Sequence, residues 1–253
     1  MTLWRKLWPP LIPFVLIFLI LEVLCQKYII PSYIFPAPSE VFASLHENSD
    51  EYITALLQTF KAAAAGLFFS TLLGVVMAVL LSMSRFVEKA FYPYAVFFQT
   101  VPIVSIAPLL VIWFGFGLPT VIVSAFIVSV FPIVANTLSG MRSASTNLVD
   151  LFKLYGASKK NILLKLRLPS AVPQILTGVR IASGLSMIGA IVGEFIAGGG
   201  LGGLIDMART QQRLDKVFAA IFIASFLGMF IVSFINLISK LILKRWLFSR
   251  EIL

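Results

Sequence analysis

The chain contains very little cysteine, histidine or charge. Cys25 is its only cysteine and His46 its only histidine, so an internal disulfide is excluded and no metal site is expected. Only 12% of the 253 residues are charged, about half of the roughly 25% that is typical of soluble domains. The sequence therefore does not belong to the classes of soluble enzymes, coiled coils or disordered tails.

Hydrophobic residues are abundant instead, at 59% of the chain, and the mean hydropathy is +0.99. Such a chain must bury its apolar surface in lipid or against itself within a bilayer. The formal charge of +9 would suggest nucleic acid in a soluble protein, but in a membrane protein it indicates which loops face the cytoplasm. We therefore expect a membrane-embedded chain that does not bind nucleic acid.

Long stretches without charge define the expected spans, since a membrane helix needs roughly 20 apolar residues. The stretch 90–141 is too long for one helix and fits two joined by a turn at 113–119, with Pro102 kinking the first of them. The fold class predicted is all-α, a polytopic membrane protein with about six transmembrane helices. These spans are expected at 11–30, 62–84, 90–112, 119–141, 168–197 and 217–239.

The basic residues are distributed unevenly between the two sides that these spans create. Most of the 20 lie at the N-terminus, in 85–89 and 142–167, and at the C-terminus. Because cytoplasmic loops carry an excess of Lys and Arg, both termini are predicted to be cytoplasmic. The first span lacks a small-residue cleavage site and is expected to remain as a membrane helix.

Residues 1–61 are predicted to comprise the first transmembrane helix and an external amphipathic segment. Ser39 follows a proline-containing turn and could cap an external helix, and a second apolar helical face covers 53–60. Residues 62–253 are predicted to form a five-helix core with a cytoplasmic loop at 142–167.

The loop 142–167 has the signals of two short helices. Asn147 could cap the first, Gly156 could end it, and Ser158 could cap a second that runs to Leu166. Pro169 would then open the fifth span. From the residues alone, a surface for docking on another protein and a basic loop that only anchors the topology are equally good interpretations.

The spacing within this loop resembles the cytoplasmic signature of permease subunits of ATP-binding-cassette (ABC) importers. In that type I family, a Glu-Ala-Ala triplet precedes Gly by three residues, and Ile-x-Leu-Pro follows nine residues later. Here the triplet positions hold Asp150, Leu151 and Phe152, Gly156 follows, and Leu168-Pro169 close the pattern. Every spacing matches, although the triplet and Leu166 depart from the family's residues.

Other segments resemble the nitrate, sulfonate, taurine and bicarbonate branch of this family. They are 35–41, 102–110, 113–117, 178–182, 193–194 and 200–202. The resemblance implies a permease subunit that forms a pathway with a second permease subunit, expected to be another copy of this chain in a homodimer, and that couples to a cytoplasmic ABC ATPase dimer. It also implies a periplasmic or lipid-anchored substrate-binding protein and a location in the bacterial inner membrane.

The resemblance further implies that the chain itself is not an enzyme. ATP and Mg²⁺ would bind to the partner ATPase, and no phosphate-cradling Gly-x-x-x-x-Gly-Lys-Ser/Thr motif occurs here. The residues that would couple the loop to the ATPase are Asp150, Leu151, Phe152, Leu154, Tyr155, Gly156, Ala157, Ser158, Lys159, Lys160, Leu168 and Pro169.

Polar residues within the spans are candidates for the pathway or its gate, because ionisable groups in a membrane usually face the bundle interior or water. The candidates are Gln99, Ser105, Asn136, Arg180, Ser183, Ser186 and Glu194. Ordinary helix packing competes with this interpretation for every one of them. Arg180 could attract an anionic substrate or bond to neighbouring carbonyls, and Glu194 could belong to an outer gate or be solvated at the interface. The glycine run 198–203 is interpreted as a flexible turn.

Two other functional classes remain open from the sequence. An ion-gradient-driven transporter or channel would need no ATPase, but it tends to show internal repeats or paired intramembrane carboxylates, and neither is evident. A scaffold of membrane assembly would make no demand on the spacing at 150–169. The substrate is not identified by the sequence; a small anionic solute or a vitamin precursor fits the resemblance.

Overall fold

The computed structural model describes residues 4–27, 29, 31 and 34–250, and this part of the chain is helical with no strand. The helices are α1 (Trp4–Gln26), α2 (Pro38–Glu47), α3 (Ser49–Ser82), α4 (Arg85–Thr100), α5 (Ile103–Phe114), α6 (Leu118–Arg142), α7 (Thr146–Leu154), α8 (Lys159–Ile162), α9 (Leu168–Ser170), α10 (Val172–Ala197), α11 (Gly200–Thr210) and α12 (Leu214–Arg250). A π-helical turn, Leu163–Arg167, joins α8 to α9.

Four helices, α3, α6, α10 and α12, are long and apolar enough to cross a membrane. They coincide with four of the six predicted spans, so the prediction of an all-α, polytopic membrane protein is confirmed. The predicted first span, 11–30, falls on α1, of which Val15–Gln26 forms a shorter apolar helix. Residues 28 and 30 of that span lie outside the described residues.

The prediction of one kinked helix over 90–112 is wrong, because the chain breaks there into α4 and α5. Val101 has an extended backbone (φ −70°, ψ 122°), and Pro102 stands before the first residue of α5. Proline lacks an N–H and disfavours a helical conformation in the residue before it. Pro102 therefore ends one helix and begins another.

The centre of the fold is the contact between α6 and α10, with α3 packed against both. Small residues allow this close approach: a Cβ on Gly189 would lie 2.8 Å from the Cα of Ala125, and one on Gly178 would lie 2.9 Å from the carbonyl oxygen of Pro132. Hydroxyl groups cross the same interfaces, since Ser124 donates to the Gly189 carbonyl at 2.7 Å. Small residues and hydroxyl groups are the usual means of helix association in lipid.

Two details of the segment before the core differ from the predictions. The apolar face at 53–60 is not a separate external helix, because α3 runs without a break from Ser49 to Ser82 and includes it. Ser39 does not cap α2; Ala37 occupies the N-cap position, and its N–H donates to the Glu40 carboxylate at 3.1 Å. A proline at the first helical position fixes this earlier start.

The described connections lie at two ends of the helix bundle. One end, here called the Glu194 end, holds the α5–α6 turn and α11, and the Gly117 N–H donates to the Ala197 carbonyl there at 3.0 Å. The other, the α7–α8 end, joins the α3–α4 turn to the loop after α6, where Arg142 pairs with Glu88. The predicted inside loops 85–89 and 142–167 are thus together at one end, while the side of the membrane that each end faces remains a prediction.

Candidate functional site

Helix α7 is the first half of the loop that the sequence singled out. It begins two residues earlier than expected, with Ser145 rather than Asn147 at the N-cap position, so the capping prediction for Asn147 is wrong. Asn147 instead lies inside the first turn. Lys153 and Asp150, three residues apart on the exposed side, form an ion pair of 2.8 Å. Such a surface pair contributes little stability.

The end of α7 is fixed by glycine, as predicted. Gly156 has φ +71°, and a Cβ there would meet no atom within 4 Å, so the backbone conformation and not space requires glycine. The Gly156 N–H donates to the Lys153 carbonyl and the Ala157 N–H to the Phe152 carbonyl, both at 2.9 Å. This pair of bonds is the Schellman motif, which satisfies the last carbonyls of a helix.

The second half of the loop returns the chain to the bundle. Ser158 caps α8 as predicted, accepting the Asn161 N–H at 3.3 Å. The expected single helix to Leu166 is wrong, since α8 ends at Ile162 and the π-helical turn follows. Ile162 and Leu166 are nevertheless both buried and anchor this half to the bundle.

The signature residues Leu168 and Pro169 lie after the anchor. Pro169 does not open the fifth span as predicted; it lies in the short α9, and α10 begins separately at Val172. Gly140 on α6 approaches this corner closely, because a Cβ there would lie 2.9 Å from the Cα of Ala171. The loop therefore leaves and re-enters the bundle at a tightly packed base.

The tip of the loop presents apolar side chains to solvent. Leu154 is 85% exposed and Tyr155 is 83% exposed, while Leu151 is 45% exposed beside them. A short amphipathic helix with exposed anchors of this kind is suited to inserting into a groove of another protein. The geometry thus favours a docking surface over a loop that only anchors the topology.

At the opposite end of the bundle, Glu194 is buried at 2% exposure. Its Oε2 accepts the Gly202 N–H and the Thr59 hydroxyl, each at 2.9 Å. A carboxylate at this position also complements the partial positive charge at the N-terminus of α11. The interpretation of Glu194 as a solvated interfacial residue is therefore wrong, and its role in a gate stays a prediction.

Helix α3 completes this arrangement, which we call the Glu194 cap. Thr59 accepts the Leu201 N–H at 2.9 Å, and the Gln58 side-chain oxygen accepts the Gly200 N–H at 2.8 Å. A Cβ on Gly200 would overlap the Glu194 carboxylate. The prediction of a flexible turn over 198–203 is thus wrong from Gly200 onward, where a helix begins with its N–H groups held in place.

Sequence reasoning missed Gln58 and Thr59, which supply half of the Glu194 cap. Both are ordinary polar residues on the first part of α3, and they meet α10 and α11 only through the tertiary fold. No local pattern in the sequence marks them. The one available signal was the glycine run shortly after Glu194, which would accommodate a carboxylate at a helix start.

Three of the pathway candidates form hydrogen bonds with helix backbones. Ser183 donates to the Arg180 carbonyl at 2.7 Å, Ser186 to the Ala63 carbonyl on α3 at 2.7 Å, and Asn136 to the Pro132 carbonyl at 2.8 Å. Ser183 and Ser186 are fully buried. In this arrangement the two serines contribute to helix packing within one subunit.

The other candidates face outward or lack a partner. Gln99 and Ser105 are exposed near the α4–α5 break. Arg180 is half-buried on α10, and its buried Nε has no hydrogen-bond partner among the described residues. An unsatisfied guanidinium nitrogen in an apolar bundle is available to water, to a second subunit or to an anion.

These features define a class of protein: a helical, multi-pass membrane subunit with one loop shaped for docking. Comparison with known proteins identifies the family. Residues 70–247 match the family model "Binding-protein-dependent transport system inner membrane component". The chain belongs to this family, and it is a permease subunit of the ABC importer type.

Relatives and solved structures agree with this assignment. The chain is 37% identical to a probable ABC transporter permease protein of Haemophilus influenzae, over 76% of this chain and 79% of that protein. It is 34% identical to the formylaminopyrimidine transport permease protein ThiX of Halalkalibacterium halodurans, over 84% and 86%. The fold resembles that of the inward-facing MetNI methionine ABC transporter, with a TM-score of 0.64 and 18% identity over 73% of this chain and 93% of that one.

Proposed function

We propose that the α7–α8 loop is the coupling element through which a cytoplasmic ABC ATPase drives this permease. The observation that carries the proposal is the exposed pair Leu154 and Tyr155 on a helix whose end is fixed by Gly156. A rigid helix with exposed anchors can transmit a displacement, and its anchored base at Ile162 and Leu166 passes that displacement to α10. The coupling residues named from the sequence all lie on this loop or at its base.

The chain itself contributes no bond chemistry in this proposal. ATP and Mg²⁺ bind to the ATPase partner, which supplies the phosphate-binding loop that this sequence lacks. A separate binding protein delivers the substrate to the Glu194 end. The subunit lies in a bacterial inner membrane with both termini and the α7–α8 end in the cytoplasm, as the basic residues indicate.

The second subunit of the pathway is proposed to be another copy of this chain. The unpaired Nε of Arg180 supports an interface or pathway surface along this part of α10. In a homodimer, two such guanidinium groups would lie on symmetry-related helices. The pathway candidates Gln99, Ser105, Asn136, Ser183 and Ser186 remain proposals of lower rank, because each is either exposed or bonded within one subunit.

A small anionic solute or a vitamin precursor is the proposed substrate. An anion suits Arg180, and relatives include the putative aliphatic sulfonates transport permease protein SsuC of Bacillus subtilis, at 29% identity. The chain is also 34% identical to ThiX and 31% identical to the riboflavin transport system permease protein RibX of Chloroflexus aurantiacus. These two relatives support a heterocyclic vitamin precursor as well as SsuC supports an anion. Uptake assays with formylaminopyrimidine and taurine separate the two.

The test is reconstitution of the chain in liposomes with the ATPase and the binding protein encoded beside it. We expect substrate uptake only when ATP is supplied on the side of the liposome membrane that carries the ATPase. A variant lacking 150–160 should still insert in the membrane but should show no uptake. Uptake that continues without ATP and follows an ion gradient would reject the proposal in favour of an ion-coupled transporter.

A further inference from the structure

A groove of about 700 Å³ lies at the α7–α8 end, between the last turn of α3, helix α7 and the segment from α8 through the π-helical turn. Five cationic side chains line it, and no acidic residue does. They are Arg85, Lys153, Lys159, Lys160 and Arg167. Glu88 and Asp150 line only an adjoining pocket, which shares Arg85, Lys153 and Arg167 with the groove. The groove is therefore a positive site formed by the base of the loop, away from its exposed tip.

Most of this charge is not neutralised by the protein. Lys153 pairs with Asp150, and the nearby Glu88 pairs with Arg142. The other four groove cations form no ion pair within the described part of the chain. Arg167 is half-buried, and it forms no ion pair within the described part of the chain.

The groove also has an apolar wall on the side of the membrane-spanning helices. Val79 and Met83 at the end of α3 and Leu163 and Leu164 of the π-helical turn line it. Met83 is 66% exposed and Leu164 is 45% exposed. A free phosphate or an acidic peptide would use the cations but would leave this wall uncovered, whereas a phospholipid has an anionic headgroup and an acyl chain to cover both.

We propose that this groove binds an anionic phospholipid from the membrane leaflet that the α7–α8 end faces. The phosphate lies against Arg85 and Arg167, with Lys159 and Lys160 adding long-range attraction. The acyl chains follow Val79, Met83 and Leu164 into the hydrocarbon. Leu154 and Tyr155 do not line the groove, so a bound lipid leaves the tip of the loop free.

The experiment measures lipid binding to the purified full-length chain by native mass spectrometry. The chain, in non-ionic detergent, is titrated with dioleoylphosphatidylglycerol or with dioleoylphosphatidylcholine. We expect phosphatidylglycerol to bind at least tenfold more tightly. The double variant Arg85→Gln, Arg167→Gln should weaken phosphatidylglycerol binding about 30-fold, since each cation near a membrane surface contributes about 1 kcal/mol.

The matched control is Lys240→Gln, Lys244→Gln, which removes the same charge from exposed positions on α12 outside the groove. Its affinity for phosphatidylglycerol should stay within about threefold of the parent chain. Should the arginine variant fail to fold, as judged by size exclusion, Lys159→Gln, Lys160→Gln tests the same groove through two exposed residues and should weaken binding in the same direction.

Three results would overturn the proposal. The first is equal affinity for the two lipids, and the second is an equal loss of phosphatidylglycerol affinity in the groove and α12 variants. The third is displacement of phosphatidylglycerol by 10 mM inorganic phosphate, because it would identify a site for small anions. Because no ATPase or substrate is present, the outcome is independent of the proposed coupling function.

Discussion

The two ends of the helix bundle differ in which groups they bury: polar groups are buried and paired at the Glu194 end, and apolar side chains are exposed at the tip of the α7–α8 end. At the Glu194 end, the buried Glu194 carboxylate accepts the Gly202 N–H and the Thr59 hydroxyl, so these polar groups are satisfied within one chain. At the α7–α8 end, Leu154 and Tyr155 are almost fully exposed although they are apolar. The contrast separates a connection that is complete within one chain from an exposed apolar surface that, in the proposed function, another protein covers.

The same contrast predicts where substitutions act. Changes at the Glu194 cap should reduce the stability of the isolated chain, whereas changes at the tip of the loop should leave stability intact and reduce partner binding. The division is wrong if a single substitution changes both the stability of the chain and its binding to a partner.

The largest expected effect is from Glu194→Ala. It leaves the Gly202 N–H and the Thr59 hydroxyl without their shared acceptor and creates a cavity, so we expect a loss of about 3 kcal/mol in the free energy of unfolding. Unfolding of the full chain by SDS titration in mixed micelles measures it.

Two further variants isolate the cause of that loss. Both hydrogen bonds end on the same atom, Oε2 of Glu194, so Glu194→Gln can keep them and should lose only about 1 kcal/mol. Glu47→Ala removes an exposed acid from α2 and should change stability by less than about 0.5 kcal/mol. Equal losses from all three would mean that Glu194 contributes only as one charge among others.

The next effect in size concerns the α6–α10 contact that connects the two ends. Gly189→Ala would place a Cβ 2.9 Å from the Ser124 carbonyl oxygen and should destabilise the chain by about 2 kcal/mol. Gly184→Ala on the same helix is the control, because its nearest neighbour would be the Val232 side chain at 3.8 Å. That control should be neutral or slightly stabilising, since alanine favours a helix. A comparable loss in both would show that the interface is looser than its backbone distances indicate.

At the tip of the loop, Leu154→Ala and Tyr155→Ala should each weaken ATPase binding by 10-fold or more, as expected of buried anchors at an interface. Stability should change by less than about 0.5 kcal/mol because both side chains are exposed in the free chain. Leu148→Ala, in the first turn of α7 and outside the coupling set, should leave binding within twofold. The assay is co-purification of the ATPase at graded concentrations; unchanged binding in all three variants contradicts the docking role.

The smallest effect is expected for Gly156→Ala, about 1 kcal/mol, confined to the loop. The cost is the left-handed conformation alone, since a Cβ would meet no neighbour. Gly156→Asn should lose less, because asparagine tolerates this conformation better. ATP hydrolysis coupled to uptake should be highest in the parent chain, lower in Gly156→Asn and lowest in Gly156→Ala. Full coupling in the alanine variant would show that the end of α7 need not be rigid.

Much of the fold follows from local features of the sequence. Runs without charge located α3, α6 and α12, a run with only two ionisable residues located α10, and Gly156 and Ser158 located the end of α7 and the start of α8. These features depend on hydropathy and on single residues with strong conformational preferences. The α7–α8 loop was therefore predictable in position and in the boundary between its two helices, but not in the start of α7 or in the path from α8 to α10.

The features that the sequence did not predict have different physical causes. Pro102 ended a helix rather than bending it, because its neighbour Val101 also left the helical region. The Glu194 cap depends on Gln58 and Thr59, which are distant in sequence and meet α11 only in the folded chain. The π-helical turn Leu163–Arg167 before α9 has no sequence signal of the kind that a glycine or a capping serine gives.

The central claim is that the tip of the α7–α8 loop contacts the ATPase. A photo-reactive benzoylphenylalanine placed at Leu154 tests it directly when the whole transporter is assembled in native membranes. We expect a crosslink to the ATPase from Leu154 and none from Phe116, which is 77% exposed at the Glu194 end. A crosslink from Phe116 but not from Leu154, or from neither in an active transporter, would contradict the account.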